Sequence, residues 1–157
     1  EFSDFECRFC SLVQPTLNQI LQEYGEDVRL VFKYLPSETR PNSIAAARAA
    51  YCAGKQDRFW EFHDALFAAP GRDADVIARL VTKLGLQAKQ FANCQQSNES
   101  LLAVMKDVEA ARAQQINGTP SFIINDNHVS GALPFADFQR LIDRELHRSS
   151  PKASSSN

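Results

Sequence analysis

Apolar positions along the chain change their period several times, and each change marks a predicted element. From Glu1 to Phe5, apolar and polar residues alternate as in a strand. The run is only a stub, so the strand is expected to begin upstream of Glu1. Val13, Leu17, Ile20, Leu21 and Tyr24 then share one face of a helix that Gly25 stops and Pro15 is expected to kink. Val28 to Leu35 is rich in β-branched and aromatic residues and ends at Pro36. It predicts a second strand, parallel to the first across a right-handed crossover.

The middle of the chain is helical. Ser43 to Ala53, opened by Pro41 and Asn42, is alanine-rich and closes at Gly54, and Asp57 to Ala68 carries Phe59, Trp60, Phe62, Leu66 and Phe67. After a Pro70-Gly71 break, Asp73 is placed to cap a helix striped by Val76, Ile77, Leu80, Val81 and Leu84, with Gly85 past its end. Gln87 to Gln96 reads as a short helix. Ser97 or Asn98 starts a longer one, whose apolar residues Leu101, Leu102, Met105, Val108 and Ile116 run to Asn117-Gly118. Such faces must be buried against each other, which predicts a helical subdomain at about 42–116, inserted between two halves of a sheet. After Pro120, Ser121 to Ile124 predicts a buried strand and Asn125-Asp126-Asn127 a turn, with His128 to Ser130 returning antiparallel. Phe135, Phe138, Leu141, Ile142 and Leu146 mark a last helix, and the polar residues 149–157 are expected to form a flexible tail.

Composition narrows the function classes. The 157 residues are 44% hydrophobic and 23% charged with a net charge of -2, as expected for one globular domain with no basic face for nucleic acid and no polybasic membrane patch. No apolar run approaches the ~20 residues of a membrane span. The acidic and aromatic first residues do not read as a signal peptide, and without an initial methionine the chain is expected to be processed or trimmed. Four cysteines are too few for a disulfide scaffold, so they call for explanation in pairs or singly.

The first pair is Cys7-Arg8-Phe9-Cys10, where the strand pattern gives way to the first helix. This spacing places two thiols on neighbouring positions of one turn, and it also serves zinc sites, c-type haem and plain structural bridges. Cys52 and Cys94 lie in the helical middle. They form either a structural disulfide closing a loop of about 42 residues, worth roughly 4 kcal/mol in the chain-entropy model, or two free buried thiols. Zinc held by all four is not expected, because the second pair lacks the short spacing of structural zinc sites. His63, among Phe59, Trp60 and Leu66, reads as a packed or capping histidine; His128 and His147 carry no visible mechanism.

The element order is strand, helix opening on Cys-x-x-Cys, strand, helical insertion, Thr-Pro with a hairpin, helix. Together with Glu1-Phe2-Ser3-Asp4-Phe5-Glu6-Cys7-Arg8-Phe9-Cys10, Phe59-Trp60-Glu61-Phe62-His63-Asp64, Gly118-Thr119-Pro120-Ser121-Phe122 and Val129-Ser130-Gly131-Ala132, it resembles the DsbA-like thiol-disulfide oxidoreductases of the thioredoxin superfamily. The resemblance runs from residue 1 to about 148. It implies an α/β thioredoxin-like fold, a central mixed sheet flanked by helices with an inserted helical subdomain. It further implies that the Thr119-Pro120 bond is cis and faces the cysteines, that the Thr119 backbone pairs with substrate, and that Glu1 is a buried acid exchanging protons with Cys10.

Chemistry argues the same roles for the thiols. A thiolate attacks a disulfide, so Cys7 needs a lowered pKa, which a helix N-terminus and the neighbouring Arg8 favour. Cys10, one turn in, resolves the mixed disulfide. Arg8 and Phe9 stand where relatives carry proline and, in DsbA, histidine, and these residues tune redox poise. A stabilised thiolate predicts a dithiol oxidase; a disulfide reductase or isomerase, or a non-catalytic module attached to a membrane or partner protein, are the alternatives. No cofactor beyond the Cys7/Cys10 pair is expected. The expected partners are protein thiols or disulfides and a redox partner, membrane-bound or not, in the periplasm or another extracytoplasmic space.

Overall fold

A four-stranded sheet in the order β2-β1-β3-β4 runs through the centre of the computed structural model, which describes residues 1–149. β1 (Phe2–Ser3) pairs in parallel with β2 (Lys33–Tyr34) and antiparallel with β3 (Ser121–Ile124), which forms a hairpin with β4 (Asn127–Ser130). The parallel pair is joined by α1 (Arg8–Tyr24), as the crossover predicts. Helices α2 (Ser43–Gly54), α3 (Phe59–Ala68), α4 (Ala74–Lys83), α5 (Ala88–Gln96) and α6 (Asn98–Ala113) follow as one block before β3, and α7 (Phe135–Ser149) returns to the sheet.

β2 is shorter than its apolar run. A ladder exists only where a partner lies alongside, and β1 offers little: Lys33 N–H bonds Glu1 C=O at 2.7 Å and Leu35 N–H bonds Ser3 C=O at 2.8 Å. α1 runs unbroken through Pro15 to Gly25, whose φ of 52° is open to a residue without Cβ. α3 begins at Phe59 rather than Asp57, because Asp57 itself adopts φ 58° and turns the chain first. The Asp73 carboxylate caps α4 by accepting from Val76 N–H at 3.0 Å. Ser149 closes α7; the rest of the expected tail, residues 150–157, lies outside the described residues.

α1 and α7 pack on the β3–β4 hairpin through Val13, Leu17, Ile20, Phe122, Val129, Phe138 and Ile142, while the helical block builds a larger core from Ala46, Ala50, Phe62, Leu66, Ile77, Val81 and Val104. Phe5 belongs to that second core, its ring 5.2 Å from Phe32 and 4.8 Å from Phe67. The segment between β1 and the cysteines is thereby anchored in the insertion. A disulfide between Cys52 and Cys94, with Cα atoms 5.8 Å apart, ties α2 to α5 and resolves the alternative that the sequence left open.

α6 corrects an expectation. Its buried face is Ser100, Val104, Asp107 and Ala111, whereas Leu102 and Met105 are exposed and Ile116 is buried only past the helix end. Polar groups chose the face. Asp107 accepts from Lys33 Nζ at 2.8 Å and from Tyr34 N–H at 3.1 Å, and Ser100 accepts from Arg48 at 3.0 Å, so α6 turns them inward against β2 and α2.

Candidate active site

Cys7 is the N-cap of α1, in extended conformation (φ -81°, ψ 120°), and its side chain makes no capping bond. The first-turn amides of α1 therefore face its sulfur rather than a capping oxygen. Burial by itself pushes the Cys7 thiol up. The Thr119 side chain, the backbone and thiol of Cys10 and the backbone of Phe9 outweigh burial, so its pKa lies below the ordinary cysteine value. In its protonated form the thiol donates to Thr119 C=O at 3.3 Å. The Thr119–Pro120 peptide is cis, and Pro120 is fully buried. Residues 112 positions apart thus meet at one sulfur.

Cys10 faces inward, fully buried, and both cysteines are free thiols. Desolvation dominates there and pushes the Cys10 thiol up to about 12, so it is protonated throughout the neutral range. Both sulfurs are buried, but the pair has one that ionises more readily, Cys7, and one held protonated, Cys10.

Glu1 is buried beside β1. Burial raises its carboxyl pKa against the opposing influence of Ser3 and Gln14. Gln14, on α1, donates to Glu1 Oε1 at 3.2 Å and to Cys10 C=O at 3.0 Å. Arg8 and Phe9 are exposed, Phe9 to 59%, an aromatic ring two residues from Cys7. The groups that lower Cys7 are hydrogen-bonding neighbours rather than the Arg8 guanidinium. Cys52 and Cys94 lie apart, in the helical block. His63 packs among Phe5, Phe32, Trp60 and Phe67, with Nδ1 2.8 Å from Asp64 and its pKa lowered by burial.

A polar lock behind the cysteine loop is absent from the sequence expectations. Asp4, wholly buried, accepts from Glu6 N–H (2.9 Å) and the Ser43 hydroxyl (2.7 Å) with one oxygen, and from Ser37 N–H (3.2 Å) and the Arg40 guanidinium with the other. Its carbonyl accepts from Cys7 N–H at 3.0 Å. Glu6 reaches the start of α2, accepting from Asn42 N–H at 2.8 Å and from its side chain at 3.0 Å. Arg72 donates to four carbonyls, of Phe5, Phe67, Ala69 and Gly71, and so joins the same loop to the end of α3. The one available signal was an acid inside an apolar strand stub, Phe2-Ser3-Asp4-Phe5, since a buried carboxylate requires partners.

Comparison with known proteins places this geometry. Residues 1–144 match the family model described as Thioredoxin. A crystal structure of a thioredoxin-like oxidoreductase from Silicibacter pomeroyi is 29% identical, superposes with a TM-score of 0.85, and covers 94% of this chain and 84% of that one. A periplasmic thioredoxin-like protein from Salmonella enterica is 26% identical with a TM-score of 0.80, over 93% of this chain and 82% of that one. Among curated sequences, a protein named Na(+)/H(+) antiporter NhaA 1 of Salinispora arenicola is 32% identical over 135 residues, 84% of this chain. The chain spans only 20% of that relative's length. Among the described residues, no helix is long and apolar enough to cross a membrane.

Proposed function

The chain belongs to the thioredoxin family, and from that premise we propose that it is a DsbA-like protein thiol-disulfide oxidoreductase with Cys7 as nucleophile and Cys10 as resolving thiol. The observation that carries this reading is the Cys7 sulfur at the N-terminus of α1, 3.3 Å from the Thr119 carbonyl, with the high-pKa Cys10 behind it. A substrate segment pairs in extended form with the backbone of Thr119 beside the cis-proline, Pro120, and Phe9 supplies an apolar contact at the rim. The Cys7 thiolate attacks a substrate disulfide, or a substrate thiolate attacks the Cys7–Cys10 disulfide; Glu1 holds or returns the proton of Cys10. The redox-active pair suffices as the electron carrier, and no cofactor is invoked.

Stabilising the Cys7 thiolate stabilises the reduced pair, and a stable reduced pair makes the oxidised one an oxidant. The direction proposed is therefore dithiol oxidation, in an extracytoplasmic compartment such as the periplasm, with reoxidation by a separate redox partner. Equilibration with glutathione buffers is expected to give a potential well above the thioredoxin value of about -270 mV, and alkylation of Cys7 is expected to be half-maximal below pH 8.5 or so. A potential at or below thioredoxin's makes the protein a reductase instead.

A second reading follows from the antiporter-named relatives, of which the chain matches about a fifth. In it the domain is a module attached to a membrane protein, with Cys7 and Cys10 as a static bridge. A pair that resists mild reductant, with partner binding unchanged in Cys7→Ser, favours that reading over catalysis.

A further inference from the structure

Arg72 stands in the break between α3 and α4, half-buried, and its guanidinium meets carbonyls rather than a carboxylate. Nε donates to Phe5 C=O at 2.8 Å, Nη1 to Ala69 C=O at 2.6 Å and to Gly71 C=O at 2.9 Å, and Nη2 to Phe67 C=O at 3.1 Å. Three of these carbonyls belong to the end of α3 and the segment after it, where a helix leaves its last C=O groups without intrahelical donors and favours a cation. The fourth lies 67 positions earlier, two residues before Cys7. Phe5 and Phe67 are thus joined twice, ring to ring with centroids 4.8 Å apart and carbonyl to carbonyl through one guanidinium.

The consequence falls on one peptide plane. The Phe5–Glu6 peptide has its C=O held by Arg72 and its N–H held by Asp4 Oδ1 at 2.9 Å. A peptide is planar, so holding both groups fixes its orientation. The next plane, Glu6–Cys7, is held through Cys7 N–H on Asp4 C=O at 3.0 Å. Cys7 then opens α1 with φ -81° and ψ 120°, and its sulfur meets Thr119 C=O at 3.3 Å. Asp4 holds the N–H groups of this loop, and Arg72 holds its Phe5 C=O.

We propose that Arg72 is a positioning residue for the exchange reaction: from the helical insertion it fixes the Phe5–Glu6 peptide, and so keeps the Cys7 sulfur at the first-turn amides of α1 and at Thr119. The proposal rests on the reading of Cys7 as the nucleophile. Arginine suits the place because its planar fork presents five N–H donors in fixed directions, whereas a lysine offers one nitrogen on a flexible stem. The acids that face Arg72 are Glu6 and Asp4, and the groups that lower the Cys7 pKa are Thr119, Cys10 and Phe9. Its influence on the thiol therefore travels through the backbone rather than by charge.

Alkylation across pH, counted by mass spectrometry, separates position from folding. A folded chain is labelled once, because Cys10 is fully buried and protonated and the other two cysteines are bridged; an unfolded chain is labelled twice. Arg72→Met keeps an apolar stem and loses every donor. Among its singly labelled chains the half-maximal pH is expected to rise by about half to one unit, which is a threefold to tenfold smaller thiolate fraction near pH 7. Formation of the Cys7 adduct with oxidised glutathione should slow by about the same factor. Arg72→Lys, which keeps the charge and one donor nitrogen, should move both quantities less. Arg58→Met removes an exposed arginine that pairs with Glu61 at the start of α3, and should move neither. An unmoved profile and adduct rate in singly labelled Arg72→Met, or in Arg72→Lys where the first variant does not fold, overturns the positioning role, as does an equal shift in Arg58→Met. Absence of a glutathione adduct on the unsubstituted protein overturns the exchange reading instead, and the alkylation profile then still decides whether Arg72 places the sulfur.

Discussion

A Cys10→Ser protein is expected to hold its substrates covalently. Cys7 still attacks, because the groups that stabilise its thiolate are mostly Thr119 and the α1 backbone, but the two remaining cysteines, Cys52 and Cys94, are bridged and no second free thiol is left to release the mixed disulfide. Release then depends on external thiol, and replacing a positioned intramolecular nucleophile by a millimolar solution thiol slows it by roughly a thousandfold or more. Non-reducing electrophoresis and mass spectrometry of the captured species check the result. Cys7→Ser should capture nothing, since the remaining thiol is fully buried with its pKa pushed up to about 12. Equal release from Cys10→Ser and the unsubstituted protein would show that Cys10 is not the resolving thiol.

The second large effect is on stability. Asp4→Ala removes a buried carboxylate that accepts from Glu6 N–H, Ser37 N–H, Ser43 and Arg40, and it is expected to cost roughly 3 to 5 kcal/mol in urea unfolding. The Arg40 guanidinium is about a third exposed, so water screens part of its attraction to Asp4. Most of the loss comes from the stranded amides and hydroxyl. The same change loosens the turn in which Asp4 C=O receives Cys7 N–H, so alkylation of Cys7 should shift toward higher pH. A loss below about 1 kcal/mol with an unmoved alkylation profile would mean that the loop is held by Phe5 and Arg72 alone.

What the sequence determined by itself was local. Gly25 and Gly85 at positive φ, the Asp73 cap, Pro120 before β3 and the Asn125-Asp126 turn each act through their own backbone or that of a close neighbour, so element order and the place of Cys7 at a helix start were legible. The quoted motifs added the wider thioredoxin pattern. Buried polar groups were not legible. The face of α6 was chosen by Asp107 meeting Lys33 and Tyr34, not by the larger apolar residues Leu102 and Met105. Asp4 found partners 33 to 39 positions away, and Cys52 found Cys94 across 42. Glu1 read as one edge of a strand stub until α1 brought Gln14 to its carboxylate. A helix cap is satisfied within one turn, whereas a buried carboxylate, hydroxyl or thiol is satisfied only by groups that the tertiary fold carries to it.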